Sequence, residues 1–428
     1  MNSRPIFRQW LPLATTWLMM SAEGPFLAAV IARLVDPKEN LAAYGVAFSF
    51  ALIMEAPIIM MMSAATALVK DGRSYRRLRN FSYALNGLIT LVMLLFLLPP
   101  VFDTVAVRLI GLPEHVARLT HMATLALLPW PAAIGFRRFY QGILISRRLT
   151  KYVAYGTVVR ISTMGGAALL LAQATELPGA ALGGLALSSA VVIEAVLSRF
   201  ITARSIRDLR VSPETVDPST ITYPAIARFY IPLALTSLLA LGVQPMITFF
   251  IGQSRMALES LAVLPVINAL VFVFRSFGLS FQEVAIANIG ARHEGLPALR
   301  RFATVLALSA AGGLSLIAFT PLASWWLGNV SGLPPDLAAF ALLPLRIQTL
   351  IPAASVLLAF QHALLVHART TTPITWGTGI EVTGIILILV VAVPFLDLPG
   401  AVAAACALLI GRAAANVFLI RPSAVAAA

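Results

Sequence analysis

Apolar runs of 18 or more residues follow one another along the whole chain, separated by short polar stretches. Each is long enough to cross a hydrocarbon core of about 30 Å as a helix. Twelve are read, at 6–30, 42–66, 81–101, 119–145, 152–173, 180–203, 226–251, 257–289, 302–322, 337–366, 374–396 and 399–420. Several contain proline, which at membrane depth predicts tilted or broken helices rather than extra spans. One longer polar interruption stands out, at 204–224, where Arg-Ser-Ile-Arg-Asp-Leu-Arg precedes Ser-Pro-Glu-Thr-Val-Asp-Pro-Ser-Thr. Its prolines and polarity predict a linker.

The pattern repeats at a spacing of about 220 residues. Trp10-Leu11-Pro12-Leu13-Ala14 returns as Tyr230-Ile231-Pro232-Leu233-Ala234, Pro25 as Pro245, and Leu41-Ala42 as Leu261-Ala262, all at 220. Gly111-Leu112-Pro113 returns as Gly332-Leu333-Pro334, Gly156-Thr157 as Gly377-Thr378, and Leu177-Pro178-Gly179-Ala180 as Leu398-Pro399-Gly400-Ala401, all at 221. One break interrupts this register: Ala126-Leu127-Leu128-Pro129 matches Ala341-Leu342-Leu343-Pro344 at 215. Co-linear prolines and glycines are hard to match by chance, and paired halves are a common transporter design. The expected fold class is therefore an all-α polytopic membrane protein of twelve helices. Residues 1–203 are expected to form one six-helix lobe, 204–224 a cytoplasmic linker, and 225–428 the second lobe. An even helix number per half predicts a pseudo-two-fold axis along the membrane normal.

Composition supports the membrane reading. Of 428 residues, 59% are hydrophobic and 11% charged, and the mean hydropathy is +0.88. A soluble domain would carry roughly twice that charge. The net charge of +13 does not predict nucleic-acid binding, because of where the cations fall. Lys70, Arg73, Arg76, Arg77, Arg79, Arg147, Arg148, Lys151, Arg199, Arg204, Arg207 and Arg210 lie on one side of the predicted spans. The opposite loops hold Arg33, Lys38, Arg108, Arg118 and Arg255. That bias puts both termini in the cytoplasm, in a plasma (inner) membrane, with attraction to anionic lipid heads. Cys406 is the single cysteine, so no intramolecular disulfide forms. The first apolar segment is long and belongs to the repeat, so it reads as helix 1 rather than a cleaved signal. No Walker motif, phosphate loop or His/Cys cluster is present, which predicts no cofactor, no metal and no enzyme activity. Energy would come from an ion gradient, with H+ or Na+ as the coupling ion, or from exchange.

Eleven ionisable residues lie inside apolar runs: Glu23, Glu55, Glu194, Glu283, Glu381, Arg137, Arg138, Arg160, Arg275, Arg346 and Arg412. Charge at that depth is expensive and marks candidate function. Through the repeat, Glu55 aligns with Arg275 and Arg160 with Glu381, so equivalent positions carry opposite charges. Facing a shared cavity, they would form gating pairs; the alternative is pairing of each charge within its own lobe. Glu23 precedes Gly24-Pro25, a combination that frees carbonyls beside a carboxylate and suits an ion site or a bend. Arg346 follows Pro344 in a run that also holds Gln348, Pro352, Gln361 and His362, and a guanidinium at a proline break suits a carboxylate or phosphate. Arg137 and Arg138 are adjacent, so one faces a ligand and one an interface. Candidate cavity residues are Arg346, Arg275, Arg160, Arg138, Gln244 and Gln348. Candidate coupling residues are Glu23, Glu55, Glu381 and Glu283, and helix breaks are expected at Pro25, Pro129, Pro245 and Pro344.

Leu41-Ala42-Ala43-Tyr44-Gly45-Val46-Ala47 with Glu23 before it, Ile231-Pro232-Leu233-Ala234-Leu235, and Pro344-Leu345-Arg346-Ile347 resemble segments of the progressive ankylosis (ANK) family. That family of membrane exporters sits within the multidrug, oligosaccharidyl-lipid and polysaccharide exporter superfamily. The resemblance spans nearly the whole chain. It implies a MATE-like fold of two lobes, a cavity between them, alternating access, and efflux of small anions such as pyrophosphate, citrate or ATP. Glu23 and Arg346 fall on matching positions; Glu381 stands where the animal proteins carry a basic residue, and Arg275 has no clear counterpart.

The resulting expectation is a monomeric secondary transporter that exports a small organic or phosphorylated anion. The first alternative is an H+ or Na+ coupled multidrug antiporter, in which acids bind a cationic drug. The second is a flippase for a lipid-linked precursor, whose pyrophosphate would enter a basic cavity.

Overall fold

The computed structural model describes residues 4–147, 149, 151–211, 213, 221–290, 294–368, 370 and 372–427. Among them, the ordered structure is helical throughout. The chain opens with α1 (Arg4–Ser21) and restarts after Ala22 as α2 (Glu23–Ile31). Pro25 thus sits in the first turn of a helix, where a missing N–H costs nothing. Then come α3 (Pro37–Glu55) and α4 (Met61–Leu68), parted by a turn that contains Pro57. A reciprocal pair of bonds starts α5 (Gly72–Phe96): Ser74 N donates to Asp71 Oδ1 at 2.9 Å and Asp71 N to Ser74 Oγ at 3.0 Å. Next follow α6 (Pro99–Asp103), which runs into a π-helix at Thr104–Leu109, α7 (Glu114–Ala126) and α8 (Trp130–Ser146). Pro129 stands at the α7–α8 break.

The remaining elements are α9 (Lys151–Ala174), α10 (Gly179–Ile201), α11 (Ala203–Val211), α12 (Tyr223–Gly252), α13 (Ala257–Asn288) and α14 (Leu296–Ala318). They are followed by α15 (Leu322–Ser324), a π-helix at Trp325–Val330, α16 (Pro335–Ile347), a 3-10 turn at Gln348–Leu350, α17 (Ile351–His367), α18 (Thr372–Ala392) and α19 (Gly400–Ala426). Pro344 lies inside α16 and the break comes four residues later; Pro245 lies within α12 without ending it. Among the described residues, ten helical stretches are long and apolar enough to cross a membrane. The first two predicted spans correspond to the broken rods α1–α2 and α3–α4. The predicted linker is partly ordered as α11, while residues 212 and 214–220 lie outside the described residues.

The repeat is legible in the backbone. The two π-helices occupy equivalent positions, and each leads into a glycine in the left-handed region, Gly111 at φ 83° and Gly332 at φ 76°. The bond from Leu112 N to Ala106 O recurs from Leu333 N to Leu327 O. A residue with a Cβ would pay roughly 1–2 kcal/mol for that conformation.

Contacts gather the chain into two compact units, Met1–Ala42 with Phe249–Ala428, and Ala43–Thr248. These boundaries differ from the expected 1–203 and 225–428: the first helix of each half of the repeat belongs with the other half. In the first unit, Ile6, Trp10 and Ala14 on one stripe of α1 pack with Phe281 and Val284 of α13, Leu299 of α14 and Phe360 of α17. Trp10 Nε1 donates to Phe277 O at 3.3 Å. In the second unit, Ile226 and Tyr230 of α12 pack with Met61 of α4, Tyr75 of α5 and Phe139 of α8. Tyr230 Oη donates to Pro57 O at 2.7 Å. Trp10 and Tyr230 are equivalent at an offset of 220, and so are Pro57 and Phe277, so the same bond is made twice.

Candidate functional site

Each unit holds one buried cluster of charges. In the second unit the hub is Glu194 on α10, which is fully buried. Arg137 of α8 donates through Nη1 to Glu194 Oε2, Gln141 Nε2 donates to Glu194 Oε1 at 3.2 Å, and Arg160 Nε of α9 lies 3.7 Å from Oε2. Arg137 and Gln141 share a face because they are one turn apart on α8. Arg138 is turned away from this hub, and among the described residues its hydrogen bond goes from Nη1 to the thioether of Met62, at 3.7 Å. Glu55, at the end of α3, is buried and its carboxylate makes no hydrogen bond among the described residues. It sits in the field of Arg138, Arg137 and Arg160. Three guanidiniums thus face two carboxylates.

In the first unit, Arg412 of α19 grips Glu381 of α18 through Nη2 at 2.7 Å and Nε at 2.8 Å, and its Nη1 donates to Ser355 Oγ of α17 at 3.1 Å. Arg275 of α13 lies in the field of both Arg412 and Glu381. Among the described residues it has no hydrogen-bond partner, and its Nε is buried. The nearby His362, on α17, also buries an Nε2 that has no hydrogen-bond partner among the described residues. Two guanidiniums here face one carboxylate. Counted over the described side chains named above, both clusters carry one formal positive charge in excess, at a depth where an uncompensated charge costs several kcal/mol.

The sequence-predicted residues fall into groups. Arg160 and Glu381 are each held by a partner in their own unit, which is the local pairing held open above. Arg138, Arg160 and Glu55 come together, as do Arg275 and Glu381. Arg346 stands apart from these clusters: it is exposed, its Nε donates to Ala318 O at 3.2 Å, and its guanidinium lies 5.6 Å from the centre of the Phe319 ring. It caps the last turn of α14. Gln348 is buried in the 3-10 turn, its Nε2 without a hydrogen-bond partner among the described residues. Gln244 is half-buried on α12, its carbonyl accepting from Thr248 Oγ1 at 3.1 Å. Glu23 is half-buried at the first position of α2. Glu283 lies on α13, and its side chain is outside the described residues. Gln141 and Ser355 escaped the sequence reading; the four-residue spacing from Arg137 was the available signal for Gln141, and none marked Ser355.

No family model matches the chain, and no curated protein matches it. Solved structures do. A multidrug resistance MATE family transporter of the MOP superfamily, in an inward-facing conformation, is 13% identical with a TM-score of 0.75, covering 100% of this chain and 99% of its own. Lipid II flippase MurJ, in an inward closed conformation, is 13% identical with a TM-score of 0.70 over 96% of this chain and 87% of its own. A MOP superfamily transporter from Pyrococcus furiosus, described by a reverse polarity of its binding pocket that suggests a different function, is 13% identical with a TM-score of 0.67 over 99% and 96%. The fold is MATE-like. The likeness is one of fold and does not single out the progressive ankylosis family.

Proposed function

We propose that this MATE-like membrane protein is a secondary transporter that exports a small organic or phosphorylated anion, of the citrate or pyrophosphate kind, by alternating access. One observation carries the reading: Arg275, in the middle of a spanning helix, holds a guanidinium that no described residue hydrogen-bonds, beside a Glu381 carboxylate already gripped by Arg412. A permanently charged fork without a partner is matched by a carboxylate or phosphate, which can accept two parallel bonds. Arg138 offers the same group in the second unit, with Glu55 as its internal counter-ion. A cationic drug would meet an excess of like charge in both clusters. The arginine bias supports cytoplasmic termini and a plasma (inner) membrane, and Glu55 supports H+ or Na+ coupling. The flippase reading draws on the same excess, since a lipid-linked pyrophosphate is also an anion.

The test is efflux of labelled citrate and pyrophosphate from proteoliposomes, with Arg275→Gln and Arg138→Gln beside the parent. Loss of efflux in both, with intact insertion, supports the reading. Parent-like efflux of both anions in both variants sinks it. Transfer of a lipid-linked pyrophosphate across the same vesicles, without efflux of the soluble anions, moves the assignment to a flippase.

A further inference from the structure

The arginine-rich end of the second unit carries a surface that the transport reading leaves unused. There α11 lies across the start of α5, so close that a Cβ on Gly72 would come within 3.0 Å of Leu209 O and 3.3 Å of Arg210 Cα. Ile206 and Leu209 are buried in the core beside Tyr75, Leu78 and Tyr140. The opposite face of α11 turns outward with Arg204, Arg207 and Arg210 and with one acid, Asp208. Flanking it, Phe200 and Val211 are 71% and 80% exposed. An amphipathic helix with outward cations and exposed apolar flanks fits the plane of a membrane interface.

Tyrosines hold the neighbouring guanidiniums in place. Arg77 lies over Tyr223 at 5.1 Å, Arg199 over Tyr140 at 5.6 Å, and Arg79 and Arg210 over Tyr75 at 5.7 and 5.9 Å. Stacking fixes the plane of each guanidinium and leaves N–H edges available, except that Arg79 donates through Nε and Nη2 to Asn80 Oδ1 at 3.2 and 2.9 Å. Among the described residues, Arg77, Arg79, Arg199, Arg204, Arg207 and Arg210 form no ion pair. Topology alone asks only for positive charge and does not require that charge to be ordered on aromatic faces.

We propose that this face of α5, α10 and α11 is a binding surface for the phosphodiester headgroups of anionic glycerophospholipids. Each arginine near an anionic surface strengthens the attachment, and bidentate contact with phosphate adds geometry to it. The proposal is independent of the transported substrate.

Native mass spectrometry of the detergent-purified full chain, mixed with phosphatidylglycerol or phosphatidylcholine, tests it. The parent is expected to retain phosphatidylglycerol about fivefold more than phosphatidylcholine, and Arg77→Gln/Arg207→Gln/Arg210→Gln to remove that preference. Raising salt on the parent from about 50 mM to about 500 mM should erode the preference in the same way. Inorganic phosphate at the lipid concentration should not displace the lipid, because it lacks the acyl anchor beside Phe200 and Val211. Equal retention of the two lipids by the parent, a salt-insensitive preference, or an unchanged preference in the variant overturns the proposal. So does displacement by inorganic phosphate or by an acidic polypeptide at the lipid concentration. Should the variant fail to insert, the lipid, salt and competition arms on the parent decide.

Discussion

Glu194→Gln is the perturbation that most directly tests how the second unit is held together. The carboxylate is fully buried and receives Arg137, Gln141 and, at 3.7 Å, Arg160. Glutamine keeps the shape and one acceptor but removes the charge that balances two guanidiniums. Breaking a buried pair from one side costs about 3–5 kcal/mol, because the surviving cation stays buried. At about 2–4 °C per kcal/mol for a domain of 150–250 residues, that is a fall of roughly 10 °C in melting temperature. Thermal unfolding of the detergent-purified protein, followed by intrinsic fluorescence, reads it. The control is Glu194→Leu/Arg137→Met, which removes both members of the shortest contact and should recover about half the loss. Glu381→Gln should cost less, since the Arg412–Glu381 pair keeps 15% of each side chain exposed and Arg412 retains Ser355. Melting within about 2 °C of the parent for Glu194→Gln, or a double variant as unstable as the sum of its singles, would refute the hub.

Arg275→Gln should raise thermal stability by about 1–2 kcal/mol while abolishing anion efflux, because it removes an uncompensated charge; a destabilised variant would show that Arg275 is structural. Tyr230→Phe should cost about 1 kcal/mol, the worth of one hydrogen bond, and Trp10→Phe more, because it also trims a buried ring packed on Phe7, Phe277 and Phe302; the two losses should add because the bonds lie in different units and share no partner, and urea or thermal titration of the singles and the double measures this. Arg346→Ala should cost under about 1 kcal/mol and leave efflux near the parent's, since its guanidinium is occupied by Ala318 O and Phe319; loss of efflux with intact folding would return it to the binding site.

Much of the frame was legible in the chain. Run length gave the rods, and Gly24-Pro25 and Pro129 marked real interruptions, because a missing donor near a helix start is a local property. Pro344 and Pro245 were less informative. A proline's effect depends on whether neighbouring side chains re-satisfy the freed carbonyl, and that is tertiary. The exchange of first helices could not be read, since a repeat fixes which segments are alike and not which ones pack together. Partner choice among buried charges was equally hidden. Arg346 sits at a proline-marked helix, yet its chemistry is set by where α14 happens to end.

The opposite charges at equivalent positions have a physical sense that only the pairing reveals. Arg160 of α9 is answered by Glu194 of α10, and Glu381 of α18 by Arg412 of α19, so the equivalent charges each find a partner of opposite sign on the next helix, although Glu194 and Arg412 are not themselves equivalent in the repeat. The other inverted pair acts differently. Glu55 lowers an excess of two in its cluster to one, while Arg275 raises a neutral pair to one. Among the described residues, opposite residues therefore produce the same net charge in the two buried clusters, which keep the excess rather than the residues. Glu55→Gln breaks that balance, leaving Arg138, Arg137 and Arg160 against Glu194 alone. If the excess is what attracts the substrate, anion binding should tighten on the order of tenfold, as expected for one unit charge at about 10 Å and an effective dielectric near 20. Thermal stability should fall at the same time, because the added charge stays buried. The apparent KM for citrate or pyrophosphate efflux reads the first effect and melting temperature the second. A variant that melts lower with an unchanged KM would place Glu55 in the fold and outside the substrate's field.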